Sequence, residues 1–176
     1  MNAWRDIDPS LITPELFVTC VEIPKYGRNK YELDKKTGLL RLDRILYTST
    51  HYPQNYGFIP LTYAEDNDPL DCLLIMSEPV QPLTLVQSRP IGMVDMIDQG
   101  KVDTKILAVC PQDPFYASVE DIDDLPKHVT EEISHFFEVY KVLEGKTTKV
   151  PGVQHREDAI RVIRKNIQDY LDKFGK

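Results

Sequence analysis

Three carboxylates fall within six residues at Asp66-Asn67-Asp68-Pro69-Leu70-Asp71, and an apolar run, Cys72-Leu73-Leu74-Ile75-Met76, follows at once. The run has no polar face at either strand parity, so it reads as a strand covered on both sides. Asp71 then stands at the mouth of a packed core, where a carboxylate is costly unless something positive meets it. Crowded carboxylates also repel, by roughly 4 kcal/mol per pair at about 4 Å and an effective dielectric near 20. A divalent cation relieves both, so the stretch reads as a hard-metal site suited to phosphate chemistry. In an extended chain Asp66 and Asp68 share a face that Asp71 does not; Pro69 breaks that parity, and a turn at 67–69 brings all three together. A calcium EF-hand loop is excluded: Asp71 takes the place of its glycine and Ser77 that of its bidentate glutamate. The bland alternative is an acidic surface loop.

Further polar sets lie along the chain. Asp98 and Asp103 flank Gln99-Gly100-Lys101-Val102, and Lys105 shares a strand face with Asp103, opposite Ile106 and Ala108. Glu22 ends a strand, Lys30 and Glu32 lie on one strand face, Arg44 follows Leu42-Asp43, and Tyr140-Lys141 sits on a helix. Taken singly, each is ordinary structure. Together they offer carboxylates, fixed cations and tyrosines without a Ser-His or Cys-His nucleophile. Phosphoryl transfer to water asks for that mixture: metal-held carboxylates, a water nucleophile and cations for the phosphate oxygens.

These groups need a scaffold of short strands. Phe17–Ile23, Lys30–Leu33, Leu39–Ile45, Leu70–Met76, Leu83–Met93 (with a break at Pro90) and Lys105–Cys110 read as strands, and residues 8–16 as a short helix. Thr130 is the expected N-cap of a helix carrying Ile133, Phe136, Phe137, Tyr140 and Leu143 on one face and ending at Gly145. A second helix, from about 157 to 174, carries Ile160, Ile163, Ile167, Tyr170, Leu171 and Phe174. The expected fold is mainly β with flanking α: a small barrel plus two C-terminal helices, with residues 1–176 as a single domain. A net charge of -7 argues against broad nucleic-acid or anionic-membrane binding. Cys20, Cys72 and Cys110 lie in strand-like runs and are expected as buried free thiols. Met1–Asp6 has no apolar signal core, and no run approaches a membrane span, so a reducing cytoplasm is expected.

Read in order, Glu22-Ile23-Pro24, Lys30-Tyr31-Glu32-Leu33-Asp34-Lys35, Leu42-Asp43-Arg44, Tyr52–Pro60, Asp66–Asp71, then Asp98, Asp103, Lys105 and His135–Glu144 resemble the family I soluble inorganic pyrophosphatases, prokaryotic type. The resemblance implies a five-stranded OB-like barrel and Mg²⁺-dependent hydrolysis of pyrophosphate to two orthophosphates, by direct in-line attack of a metal-activated water. It implies Asp66, Asp71 and Asp103 as ligands of the tightest metal, and Asp98, Asp103 and Glu32 as ligands of the metals that arrive with substrate. Asp68 is implied as the residue that accepts or steers the water's proton. Lys30, Arg44, Tyr56, Lys105, Tyr140 and Lys141 are implied for pyrophosphate and the leaving group, with Glu22 and Tyr52 in support. Several Mg²⁺ per site, Mn²⁺ or other divalents as substitutes, and a homohexamer are further implications. Asn67 departs from the glycine usual at its position, Tyr26-Gly27 from the usual Gly-Ser, and Gln99-Gly100 from the usual loop. The rival readings are a non-catalytic OB-like nucleic-acid binder, with tyrosines as stacking surfaces, and a related hydrolase acting on nucleotides or polyphosphate. His51, His128 and His155 are expected at the surface or hydrogen-bonded, and His135 at a packed or subunit-contact position.

Overall fold

Pro9 and Pro14 stop the first expected helix. In this computed structural model, which describes residues 1–175, only Pro9–Leu11 forms a 3-10 turn, with the Asp8 side chain accepting from the Ser10 N–H at 2.9 Å. Proline is favoured at the start of a helical turn, but Pro14 ends any continuation and pushes Thr13 away from helical backbone. The strands are β1 (Phe17–Ile23), β2 (Asn29–Leu33), β3 (Leu40–Ile45), β4 (Asn55–Phe58), β5 (Asp71–Ile75), β6 (Leu85–Asp98), β7 (Lys101–Val109), β8 (Thr148–Lys149) and β9 (Val153–His155). The helices are α1 (Lys127–Val139) and α2 (Arg156–Phe174).

Pairing runs β1-β4-β5-β7-β6, and β6 returns to β1, so five strands close into a ring. All of these pairs are antiparallel except β5–β7. Closure leaves the ring without a free edge. β2 and β3 form a separate hairpin, while β8 and β9 add to β6. β6 is longer than the sequence suggests and passes through Pro90, which keeps Ala108 as its register partner; the register shifts just after it, between Pro90 and Gly92, and a bulge is where a strand tolerates proline. β4, hidden in a Pro-, Asn- and Gly-rich stretch, was not among the expected strands. Its Gly57 is forced by close approach: a Cβ there would lie 1.9 Å from the carbonyl oxygen of Cys20.

Alternation divides the core in two. Cys72 and Leu74 of β5, with Ile106 and Ala108 of β7, pack in the layer that includes Ala159, Ile163 and Tyr170 of α2. Leu73, Ile75, Leu107 and Val109 point the other way, into the layer that includes Ile133, Phe136 and Phe137 of α1. The doubly apolar reading of β5 therefore holds, with a different helix serving each face. Helix α1 starts three residues before Thr130, after Pro126, without a side-chain cap; the Thr130 hydroxyl instead donates back to the Lys127 carbonyl at 2.8 Å. The helix ends at Val139, and Gly145 terminates the following 3-10 turn, Val142–Glu144, at φ +73°. All three cysteines are buried free thiols, and burial pushes Cys20 and Cys72 up to about 12. His51, His128, His135 and His155 are all exposed. No helix among the described residues is long and apolar enough to cross a membrane.

Candidate active site

The α1-side layer opens into a polar cavity of about 620 Å³. Strand parity places its central charges. Asp71 and Lys105 are register partners across β5 and β7, on the same face as the Leu73–Leu107 pair, and Asp103 lies two residues before Lys105. The Lys105 ammonium donates to Asp71 Oδ2 at 2.5 Å and to Asp103 Oδ2 at 2.8 Å, above the rings of Tyr56 and Phe137. Burial alone would discharge Lys105, but Asp71 and Asp103 raise it above the usual lysine range.

The other walls come from three separate pieces. The hairpin contributes Lys30, Glu32 and Arg44: Lys30 pairs with Glu32 and, at 3.3 Å, with Asp43, while Arg44 Nη1 donates to Asp43 at 2.6 Å. Lys141, which follows α1 beyond its C-cap Tyr140 rather than sitting on the helix as expected, donates to Asp98 Oδ2 at 2.5 Å. The acidic turn contributes Asp66 and Asp68, and Asp68 pairs with Lys35. Asn67 adopts φ +70°, the left-handed backbone that asparagine tolerates, and its side chain accepts from the Tyr63 hydroxyl. The Gln99-Gly100 loop is a tight turn with both residues at positive φ, closing Asp98 onto Lys101.

Every expected site residue except Asp98 lines the cavity; Asp98 reaches it through Lys141. Glu22 is buried beneath, its Oε1 accepting from the Leu33 N–H at 2.7 Å, and burial pushes its carboxyl up to about 8. Burial also raises the Tyr52, Tyr56 and Tyr140 phenols, which keeps their hydroxyls protonated. Trp4 and Arg41, which also line the cavity, were not singled out in the sequence, while Lys35 in the lining and Glu144, paired with Arg44 behind it, were noted only as members of motifs without a role.

The donor set suits a hard cation. Oxygen ligands dominate, Asp98 Oδ1 is buried without a partner, and desolvation plus the Asp71 charge raises Asp66. Desolvation likewise raises Asp103, with Lys105 opposing and Asp71 reinforcing the shift. No three of the expected ligands bring their carboxylate oxygens within 4.8 Å of one another; Asp71 and Asp103 are bridged by the Lys105 ammonium. Among the described residues, Asp121, Asp123 and His155 do converge so closely, away from the cavity. There Asp121 is already engaged as a cap, accepting from the Asp123 and Arg156 N–H groups, and its other contact is His155 Nδ1.

Comparison with known proteins bears on this geometry. A family model described as Inorganic pyrophosphatase matches residues 19–171. Soluble inorganic pyrophosphatase 1 of Arabidopsis thaliana is 48% identical over 171 residues, covering 97% of this chain and 81% of the relative. A crystal structure of inorganic pyrophosphatase from Thermus thermophilus is 38% identical with a TM-score of 0.92, covering 97% of this chain and 99% of that one. The corresponding structure from Helicobacter pylori is 40% identical with a TM-score of 0.89, covering 94% and 98%.

Proposed function

The chain belongs to the inorganic pyrophosphatase family and hydrolyses pyrophosphate; from that premise we propose how its residues do so. The observation that carries the reading is the pairing inside the cavity, where the three phosphate-seeking lysines rest on carboxylates suited to a metal: Lys105 on Asp71 and Asp103, Lys141 on Asp98, Lys30 on Glu32. Asp66, Asp71 and Asp103 would hold the first divalent ion, and Asp98, Asp103 and Glu32 those that come with substrate. Bound Mg²⁺ supplies charge neutralisation and a more acidic water, with Mn²⁺ or another divalent as a substitute. With those carboxylates engaged in holding metal, Lys30, Lys105 and Lys141 would be left for the non-bridging phosphate oxygens.

Asp68, on an exposed turn at the cavity mouth, accepts the proton of the attacking water at its carboxylate. Attack is in line on one phosphorus, without a phospho-enzyme. Arg44 and Lys141 take up charge on the departing phosphate, and the protonated Tyr56 and Tyr140 hydroxyls donate to its oxygens. Glu22 holds the end of β2 through Leu33, and Tyr52 packs behind Tyr56 with ring centroids 5.1 Å apart. We further propose that residues 1–176 act as one domain, as a cytoplasmic homo-oligomer with a hexamer favoured, independent of nucleic acid and membrane; the net charge of -7 supports the last point.

Orthophosphate release from pyrophosphate tests the metal reading. It should require added Mg²⁺ and stop with excess chelator; undiminished turnover in chelator would reject it. A panel of nucleoside triphosphates and polyphosphate, run alongside, should be cleaved far more slowly.

A further inference from the structure

Arg44 is held from two sides by carboxylates of different character. Asp43 lines the cavity, is 34% exposed, is shared with Lys30, and takes Nη1 at 2.6 Å. Glu144 does not line the cavity; its side chain is only 9% exposed and sets Oε1 3.0 Å from Arg44 Nε. On that inner side Arg44 Nε and Nη2 and Glu144 Oε2 are all buried without a hydrogen bond, so Glu144 holds Arg44 as an ion pair, charge against charge. An incoming anion therefore competes with Asp43 and cannot reach Glu144.

Glu144 also ends the 3-10 turn whose N-cap is Lys141, and the turn is closed by the Glu144 N–H on the Lys141 carbonyl at 3.0 Å. The two cations assigned to the departing phosphate lie on different pieces of the fold, hairpin and α1 end. The Arg44–Glu144 pair ties those pieces together.

We infer that Glu144 is a positioning residue for Arg44: it stays bound to the guanidinium from behind while phosphate displaces Asp43 in front, and it fixes the spacing between Arg44 and Lys141. This rests on the proposed role of Arg44 at phosphate.

A double-mutant cycle of Glu144→Gln and Arg44→Ala tests it, read by calorimetric binding of inorganic phosphate in saturating Mg²⁺ and by KM and kcat for pyrophosphate. Glu144→Gln should weaken phosphate binding and raise KM about tenfold, the scale of one lost charge-assisted contact, with a smaller fall in kcat. In the Arg44→Ala background the same change should cost less than about twofold, because coupled residues are not additive. Equal factors in both backgrounds would overturn the inference and leave Glu144 as a support of its turn. If Arg44→Ala itself leaves phosphate binding unchanged, it is the Arg44 reading that fails. Should the Gln variant not fold, Glu144→Asp enters the same cycle with the same expected loss of effect.

Discussion

Lys105 and Asp71 face each other in register across the one parallel pair of the barrel, with Nζ 2.5 Å from Oδ2. Lys105 is 3% exposed, while the Asp71 side chain is 25% exposed. The ammonium is thus the deeper partner and neutralises Asp71 and Asp103 together. Lys105→Met should cost about 3 kcal/mol without metal, the low end for breaking a buried pair because its carboxylates are partly solvated. Divalent metal should then restore more stability to the variant than to the parent. Urea unfolding with and without Mg²⁺ measures both; equal metal effects would mean that Lys105 and metal do not compete for these carboxylates.

Glu22 gives the pH dependence its sign. Burial raises its folded pKa from 4.5 to about 8. Between those values the folded state binds the extra proton, so stability falls as pH rises from about 4.5 to about 8. Glu22→Gln keeps an oxygen to accept the Leu33 N–H and removes the buried charge. The variant should be more stable than the parent above pH 8, by up to a few kcal/mol, with a flatter profile across that window. Denaturation midpoints at pH 5, 7 and 9 check this, and parallel profiles for the two proteins would contradict it.

Backbone geometry makes opposite predictions at two small residues. A Cβ at Gly57 meets the Cys20 carbonyl at 1.9 Å, so Gly57→Ala must separate β4 from β1. A loss of about 3 kcal/mol or more is expected, beyond ordinary overpacking, since backbone has to move. Asn67, at φ +70°, should accept Gly with little change, whereas Asn67→Ala should cost about 1 kcal/mol in left-handed strain. Thermal or urea unfolding of the three variants would show whether that order holds.

What could be read from the chain follows the range of the forces involved. The two-faced β5, the shared face of Asp103 and Lys105, and most of the stripes of α1 and α2 depend on periodicity within one element, and they were legible; Leu143, which lies beyond the end of α1, and Leu171 are exposed instead, and the buried Ala159 and Asn166 of α2 were not expected. The helix expected at 8–16 failed because Pro14 outweighed a weak apolar pattern. The start of α1 was misplaced because Thr130 bonds backward inside the helix rather than capping it. β4 was invisible because its pairing depends on close approach at Gly57, which propensity does not report. Closure of β6 onto β1 joins elements far apart in sequence, as does the Arg44–Glu144 pair. Neither leaves a local trace. The residues that line the cavity stood out as a set through their ordered resemblance to a family, since each alone passes for an ordinary surface or strand residue.

Asp68 tests the chemistry most directly. It sits in the acidic turn between Asp66 and Asp71, yet its observed partner is Lys35, whose ammonium also lies 5.4 Å from the Trp4 ring. Its backbone N–H is held by Asp66 Oδ1 at 3.0 Å, so the side chain is free of the turn's own hydrogen bonding. Both partners of the Lys35–Asp68 pair are exposed, so water reaches the carboxylate. Asp68→Asn keeps size and polarity and removes the base. It should lower kcat by about 10²–10⁴-fold, the usual contribution of general base catalysis, while KM changes much less. Asp71→Asn should instead weaken Mg²⁺ binding, measured calorimetrically without substrate. If Asp68→Asn kept a near-normal kcat, the proton would have to leave by another carboxylate of the cavity.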